Sequence, residues 1–313
     1  MNTSSSSYGS DAALWCAAAQ RAAGAQQYPA GALYVVATPI GNLADLGLRA
    51  LHVLHTVEAL ACEDTRHTAA LLRHYGIDKP LLAVHEHNER EAAQAVIARL
   101  HSGQRVAYVS DAGTPALSDP GARLVAAVRQ AGCGVVPIPG PSSATAALSA
   151  AGDVHATGFH FVGFLPTRPR ELEHAVRAIA ASPVSQVIFE SPHRIETLAR
   201  ALAQACGSRP LTVARELTKQ FETIVTLPTH SLPQWLAEDP HRRRGEFVLV
   251  LHAQPPEAAA QDDQALARAE PLLRALIEAL PLKQAVALVA EHTGAPRKAL
   301  YARALALRGS EGG

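Results

Sequence analysis

Five short segments carry the residue types that hold small polar ligands: TPIGN at 38–42, EDTRH at 63–67, HEHNE at 85–89, SDAGTP at 110–115 and PGPSS at 139–143. Gly, Pro, Asp and Ser are also the ordinary material of turns, so one such loop would mean little. Here all five sit where a short apolar run ends, at 33–37, 57–62, 81–85, 105–110 and 134–138. Asp111 can accept hydrogen bonds from hydroxyls or an ammonium group, and backbone N–H groups near Gly113 and Ser142 can meet a carboxylate. A ligand with a ribose and an amino acid end suits that chemistry, and glycine lets the backbone approach it closely. No GxGxxG follows the first run and no GxxxxGK[ST] occurs, so neither a dinucleotide nor ATP is indicated. His85, Glu86 and His87 are consecutive at a strand end and point to different sides, which argues against a metal. Cys16, Cys62, Cys133 and Cys206 lie too far apart for a metal motif, and reduced thiols in a cytoplasmic protein are expected.

The elements that must position these loops are legible in the pattern around them. The apolar runs are continuous, as strands buried on both faces should be. Helix-period segments alternate with them, closed by Gly76 and Gly103. That alternation predicts an α/β domain over 31–150 with a doubly wound parallel sheet, whose ligands bind beyond the strands' carboxyl ends. After a pause at 151–157, FHFVGFLP, a helix over 169–181, QVIFE, LTVARE, FETIVTLP and GEFVLVLH predict a second α/β domain over 155–253 with a mixed sheet. Residues 1–30 read as a disordered tail, a short extra helix being the alternative, and 254–264 as a linker.

From Ala265 to 313 three helices are expected. Leu282, Val286 and Val289 share one face, Gly294 supplies a stop, and Pro296 can occupy the first turn of the last helix. The outline is either a helix-turn-helix or an α-hairpin that merely packs on the body. Lys283, Arg297, Lys298, Arg303 and Arg308 make a local basic surface suited to phosphates. The whole chain balances 28 basic against 28 acidic residues, which excludes histone-like attraction to nucleic acid and leaves only local contacts. No apolar run is long enough for a membrane helix.

In order and spacing, TPIGNLADLGLRAL, EDTRHTAALL, HEHNE, VSDAGTPALSDPG, PIPGPSS, GFLP, ESPHR, ARELTK and GEFVLVL resemble the ribosomal RNA small subunit methyltransferase I family of the tetrapyrrole methylase superfamily. PLKQAVALVAEHTGAPRKALY resembles that family's small C-terminal helical domain. The resemblance implies two α/β domains of tetrapyrrole methylase type in a homodimer, with S-adenosylmethionine bound in the cleft between them. It further implies 2'-O-methylation of a cytidine ribose in the decoding region of 16S rRNA, as naked rRNA or small ribosomal subunit, with no membrane or DNA partner. By motif position the resemblance implies that Pro39, Asp111, Gly113, Thr114, Ser142, Ser143, the strand end at Phe189 and Glu190, and Ala214 border the cofactor. Asp119 and Pro120 in SDPG can cap and start the next helix.

Methyl transfer to a hydroxyl is helped by a general base. Glu63, Asp64, Glu86, His87, Glu190, His193 and Glu216 are available in the motif loops, with Glu190, His193 and Glu216 the first choices for a catalytic role. The alternatives are an ion pair of Glu190 with Arg194 or Arg215, and a capping or packing role for His193. Arg66, Arg194, Arg215 and Lys219, together with Lys283, Arg297 and Lys298, are candidates for RNA phosphates, surface pairing being the alternative for each. HRRRG at 241–245 reads as a solvated basic turn. Rival functions are a tetrapyrrole or other small-molecule methyltransferase, and a non-catalytic RNA-binding assembly factor.

Overall fold

The computed structural model describes residues 7–85, 88–116, 121–255 and 257–309. Glu86, His87, Asp119 and Pro120 lie outside the described residues. Strands β1 (Ala32–Val36), β2 (Ala59–Cys62), β3 (Leu81–Ala83), β4 (Val106–Val109) and β5 (Gly134–Ile138) form one parallel sheet in the order β3-β2-β4-β1-β5. Alternation along β1 sends Tyr34 and Val36 to one face and Leu33 to the other. Helices α2 (Leu48–Thr56) and α3 (Thr65–His74) cover the first face, and α4 (Glu89–His101) and α5 (Gly121–Gln130) the second. The sheet is thus buried on both sides, which is why its strands read as unbroken apolar runs. Gly76 (φ 68°) and Gly103 (φ 83°) take the left-handed conformation just after α3 and α4, as helix stops do.

The N-terminal tail corrects the expectation of disorder: Ser7–Ala23 is a helix, α1, packed on α2. Alanine is the best helix former, and the buried positions of α1 are Ala19 and Ala23. Its large apolar residues, Leu14 and Trp15, stand exposed instead.

Strands β6 (Phe159–Phe164), β7 (Ser185–Glu190), β8 (Pro210–Arg215), β9 (Thr223–Pro228) and β10 (Phe247–Leu251) form a mixed sheet in the order β6-β7-β10-β8-β9. The β6–β7 pair is parallel and the other three are antiparallel. Helices α7 (Pro169–Ala181), α8 (Ile195–Cys206) and α9 (Leu232–Glu238) bury one face of it. Across the other lies α6 (Ser143–Ala151), whose Ala144, Ala147 and Ala151 pack with Val187, Ala214, Val248 and Val250. The sequence boundary near residue 150 therefore misplaces α6, which follows β5 in the chain but serves the second sheet. Both sheets belong to one compact unit, residues 1–252.

Residues 253–313 form a second unit. It holds α10 (Glu257–Ala279), α11 (Leu282–Thr293) and α12 (Arg297–Gly309), joined through Leu273, Val286, Val289, Leu300 and Ala304. Helix α10 begins inside the stretch expected as a linker, because EAAAQDDQ lacks apolar period yet is rich in Ala and in other residues a helix tolerates. Gly294 (φ 71°) ends α11 as expected. Pro296 sits just ahead of α12, and its carbonyl accepts from the Leu300 N–H at 3.0 Å. Arg303 grips Glu270 with two bonds, at 3.0 and 2.7 Å, and so ties α12 to α10.

Candidate active site

From β1 the chain crosses β4 to reach β2, and from β4 it crosses β1 to reach β5; these connections run over opposite faces of the sheet, with α2 on one and α5 on the other, and leave a crevice at the carboxyl ends of the adjacent strands β1 and β4. Thr38 and Gly113 pair across that crevice as an isolated bridge. Gly113 has φ 80°, a backbone that L side chains rarely adopt. The Thr38 hydroxyl donates to the Ser110 carbonyl at 3.2 Å, and the Thr114 hydroxyl donates to the Pro141 carbonyl at 3.0 Å. Loops TPIGN, SDAGTP and PGPSS are thereby fixed to one another. The Asp111 carboxylate accepts from the Asp64 N–H at 3.2 Å, which brings in EDTRH as well.

Facing these loops is the second sheet, and between the two lies a cavity of about 410 Å³. Its walls include Ile40, Glu63, Ser110, Asp111, Ser143, Phe164, Phe189, Glu190, Ala214, Leu217, Glu246 and Val248. Of the expected cofactor residues, Asp111, Ser143, Phe189 and Ala214 line it. Ser142 lines a neighbouring cavity of about 330 Å³ that shares Ile40. Pro39 is buried and lines neither cavity, while Gly113 and Thr114 hold the loops rather than the walls. The volume and the mixture of apolar walls with a few convergent polar groups are those of a small-molecule site.

Glu190 ends β7 at the cavity with its side chain 1% exposed. Its Oε1 accepts from the Ser191 N–H at 2.8 Å and meets Arg194 Nε at 3.4 Å. Its Oε2 is buried with no hydrogen-bond partner among the described residues. Burial pushes the carboxyl pKa up, and the Ser191 N–H and Arg194 charge offset that in part. An unsatisfied carboxylate oxygen in an apolar cleft costs stability and is suited to taking a proton.

The other two expected catalytic residues are placed differently. His193 is exposed in the turn before α8 and does not line the cavity. Glu216 has φ 53°, and its Oε1 accepts from Lys219 Nζ at 2.9 Å and from the Glu246 N–H at 2.9 Å. Burial pushes its pKa up, but the Glu246 N–H and the Lys219 ammonium outweigh burial and hold the carboxyl below its ordinary value. Gly245 (φ 88°) passes so close that a Cβ there would lie 2.5 Å from the Glu216 side chain. Glu216 is thus a brace of its loop.

Three cations expected at phosphates are also engaged internally. Arg194 donates to the carbonyls of Leu165 and Pro166, and Arg215 to those of Arg244 and Phe221. Lys219 bridges Glu216 and Glu246. Arg66 projects from α3 with its side chain 90% exposed, paired with Asp64, whose carboxyl it holds down at about 2. In the second unit Lys283, Arg297 and Lys298 are all exposed. Phe164, Leu217 and Glu246 were missed as site residues; for Phe164 the signal was the interrupted alternation of FHFVGF.

The sequence pattern of the tetrapyrrole (corrin/porphyrin) methylases matches residues 32–233. That of the RsmI C-terminal HTH domain matches residues 262–308. The ribosomal RNA small subunit methyltransferase I of Escherichia coli O157:H7 is 46% identical over 280 residues, covering 89% of this chain and 96% of the relative. Its counterpart in Xylella fastidiosa (strain Temecula1 / ATCC 700964) is 47% identical over 272 residues, covering 87% and 98%. The chain belongs to the ribosomal RNA small subunit methyltransferase I family. Within that family pattern the cavity wall from Ile40 to Leu217 falls inside the methylase span, and α1 precedes it. Among solved structures, a cobalt precorrin-4 methyltransferase aligns with TM-score 0.54 at 17% identity, over 72% of this chain and 98% of its own. A uroporphyrin-III C-methyltransferase from Thermus thermophilus, complexed with S-adenyl homocysteine, aligns with TM-score 0.50 at 19% identity over 70% and 96%. These two likenesses establish a shared fold for the family member described here.

Proposed function

We propose that the protein transfers a methyl group from S-adenosylmethionine to the 2'-oxygen of a cytidine ribose in the decoding region of 16S rRNA. The observation that carries this reading is the pairing, in one cleft, of the Asp111 loop with the buried, half-satisfied carboxylate of Glu190. The relatives' names supply the acceptor class, ribosomal RNA of the small subunit.

The residues present fit the cofactor. Asp111 offers acceptors to hydroxyls or an ammonium group, the N–H groups at the start of α6 offer donors to a carboxylate, and Ile40, Ala214, Leu217 and Val248 offer apolar walls to a nucleoside. When bound, S-adenosylmethionine supplies an electrophilic methyl group on a sulfonium. With the cofactor bound, Glu190 Oε2 would take the proton of the ribose hydroxyl as that oxygen attacks the methyl carbon, and the electron pair of the breaking methyl–sulfur bond would leave on the thioether product. The walls exclude water and hold the reactants in line, which alone supplies much of the acceleration. Arg66 and the exposed cations of the second unit contact RNA phosphates.

The protein acts in the cytoplasm on rRNA or the small subunit, as a homodimer, without a membrane or DNA partner. Exposed Phe159, Phe221 and Ile224 on the second sheet and its loop support self-association. Among the described residues no helix is long and apolar enough to cross a membrane. The experiment is methyl transfer from labelled S-adenosylmethionine to small subunits lacking the modification, followed by nuclease mapping. Label on a ribose 2'-oxygen of a decoding-region cytidine is expected. Label on a tetrapyrrole instead, or none despite cofactor binding, overturns the reading.

A further inference from the structure

The last residues of β6 break the two-residue alternation of a strand. Phe161 pairs with Val187, but the next pairs are Gly163 with Ile188 and Phe164 with Phe189, so one residue is extra on β6. A bulge of this kind re-aims the side chains that follow it. Val162 turns to the helix-covered face of the sheet, whereas Phe161 and Phe164, three residues apart, share the opposite face with Phe189. Gly163 stands at the irregularity with φ 69°, a conformation that costs glycine little. In a regular strand, glycine would oppose Phe189 and Phe164 would face the helices.

The bulge therefore delivers an aromatic cluster to the cavity. The Phe189 ring meets Phe161 at 5.0 Å and Phe164 at 5.7 Å, both edge-on. Phe161 and Phe189 are half-buried, but Phe164 lines the cavity while 56% exposed. Arg194 fixes where the ring stands relative to Glu190: its guanidinium donates to the Leu165 and Pro166 carbonyls just after Phe164 and pairs with the Glu190 carboxylate.

We propose that Phe164 is the surface on which the target pyrimidine base stacks, placing the ribose of that nucleotide at Glu190. The proposal rests on the reading of the cleft as a ribose methyltransferase site and names how the acceptor nucleotide is held there. Proteins that recognise single-stranded RNA commonly take an unpaired base onto an aromatic face, and the energy is insensitive to sequence. Phe164 accordingly selects for a nucleotide that can be splayed out, while neighbouring contacts choose which one.

The test compares wild type with Phe164→Ala and Phe164→Tyr. Methyl transfer to unmodified small subunits is measured alongside S-adenosylmethionine affinity by calorimetry. Phe164→Ala is expected to lower kcat/KM for subunits by roughly 5- to 100-fold, the range for losing one stacked base, with cofactor affinity and melting temperature unchanged. Phe164→Tyr is expected to restore most of the activity. Full activity in Phe164→Ala, a parallel loss of cofactor affinity, or failure of Phe164→Tyr to rescue overturns the proposal. Phe164→Trp provides a readout independent of turnover: its fluorescence is expected to be quenched by a short cytidine-containing RNA oligonucleotide, and wild-type fluorescence is not. If wild type methylates no rRNA but this quenching occurs, the function reading fails and the base surface stands; absence of quenching overturns the base surface.

Discussion

The Thr38 N–H donates to the Gly113 carbonyl at 2.9 Å, and the Gly113 N–H donates back to the Thr38 carbonyl at 3.1 Å. This two-bond bridge spans the crevice between β1 and β4 and converts two costly loops into one rigid wall. A Cβ on Gly113 would lie 3.3 Å from Ile40 Cγ2, and Ile40 lines both cavities. Gly113→Ala is therefore expected to cost about 1–2 kcal/mol of stability, since its φ is unfavourable for alanine, and to weaken cofactor binding. Urea denaturation and calorimetry check both, and wild-type values for both would refute the wall.

Asp111 lines the cavity beside that wall. Asp111→Ala is expected to lower S-adenosylmethionine affinity by roughly 10- to 100-fold, the scale of a charge-assisted hydrogen bond. The fold should persist, because the half-buried Asp111 side chain accepts a single bond among the described residues, from the Asp64 N–H. Unchanged affinity in the calorimeter would remove Asp111 from the cofactor site.

Burial lifts the Glu190 carboxyl above its ordinary 4.5, so the folded chain holds that proton more tightly than the unfolded one does. Stability from this group is greatest at low pH and falls as pH rises from below 4.5 through the raised value. Glu190→Gln is expected to unfold at the same or higher urea concentration than wild type at pH 7, while methyl transfer drops roughly 10²- to 10⁴-fold. Transfer by wild type should rise with pH until the raised value is passed. An active Glu190→Gln enzyme would move the base elsewhere.

Glu216 has the opposite sign. Its carboxyl is held below the ordinary 4.5, so its contribution is fully present above 4.5 and disappears as pH falls through the lower folded value. Glu216→Gln is expected to lower the urea midpoint at neutral pH, with the gap closing at acid pH, and to keep transfer within a few-fold of wild type. Loss of turnover without loss of stability would restore Glu216 as a catalytic candidate.

The second unit is expected to act through phosphates. Replacing Lys283, Arg297 and Lys298 together by alanine should weaken rRNA binding and reduce the salt dependence, log K against log [salt], by about 2 to 3 units. Cofactor affinity should not change. Filter binding at several salt concentrations decides it, and an unaltered salt slope would show that these cations stay in water.

Some of this was readable from the chain and some was not, and particular residues show why. Strand β1 was legible because a sheet covered on both faces needs apolar residues at every position, and LYVVA has them. Asp111 was legible because ligands of such sheets gather at the strand ends. Helix α1 was not legible, because it buries alanines and leaves Leu14 and Trp15 outward, the reverse of the usual amphipathic signal. Helix α6 looked like the end of the first domain because chain order says nothing about which sheet a helix covers.

Glu190 and Glu216 show the limit most clearly. Each is an acidic residue where a strand ends, with an arginine nearby, Arg194 four residues after Glu190 and Arg215 just before Glu216, and local sequence ranks them alike. The sequence by itself determined that carboxylates would stand at these strand ends, because apolar runs stop there. Tertiary structure alone decided their roles. Antiparallel pairing with β10 brings the Glu246 N–H onto the Glu216 carboxylate, whereas the packing around β7 leaves Glu190 Oε2 buried in the cleft without a donor. Electrostatic environment depends on distance in space, and that is set only when strands and loops remote in sequence come together.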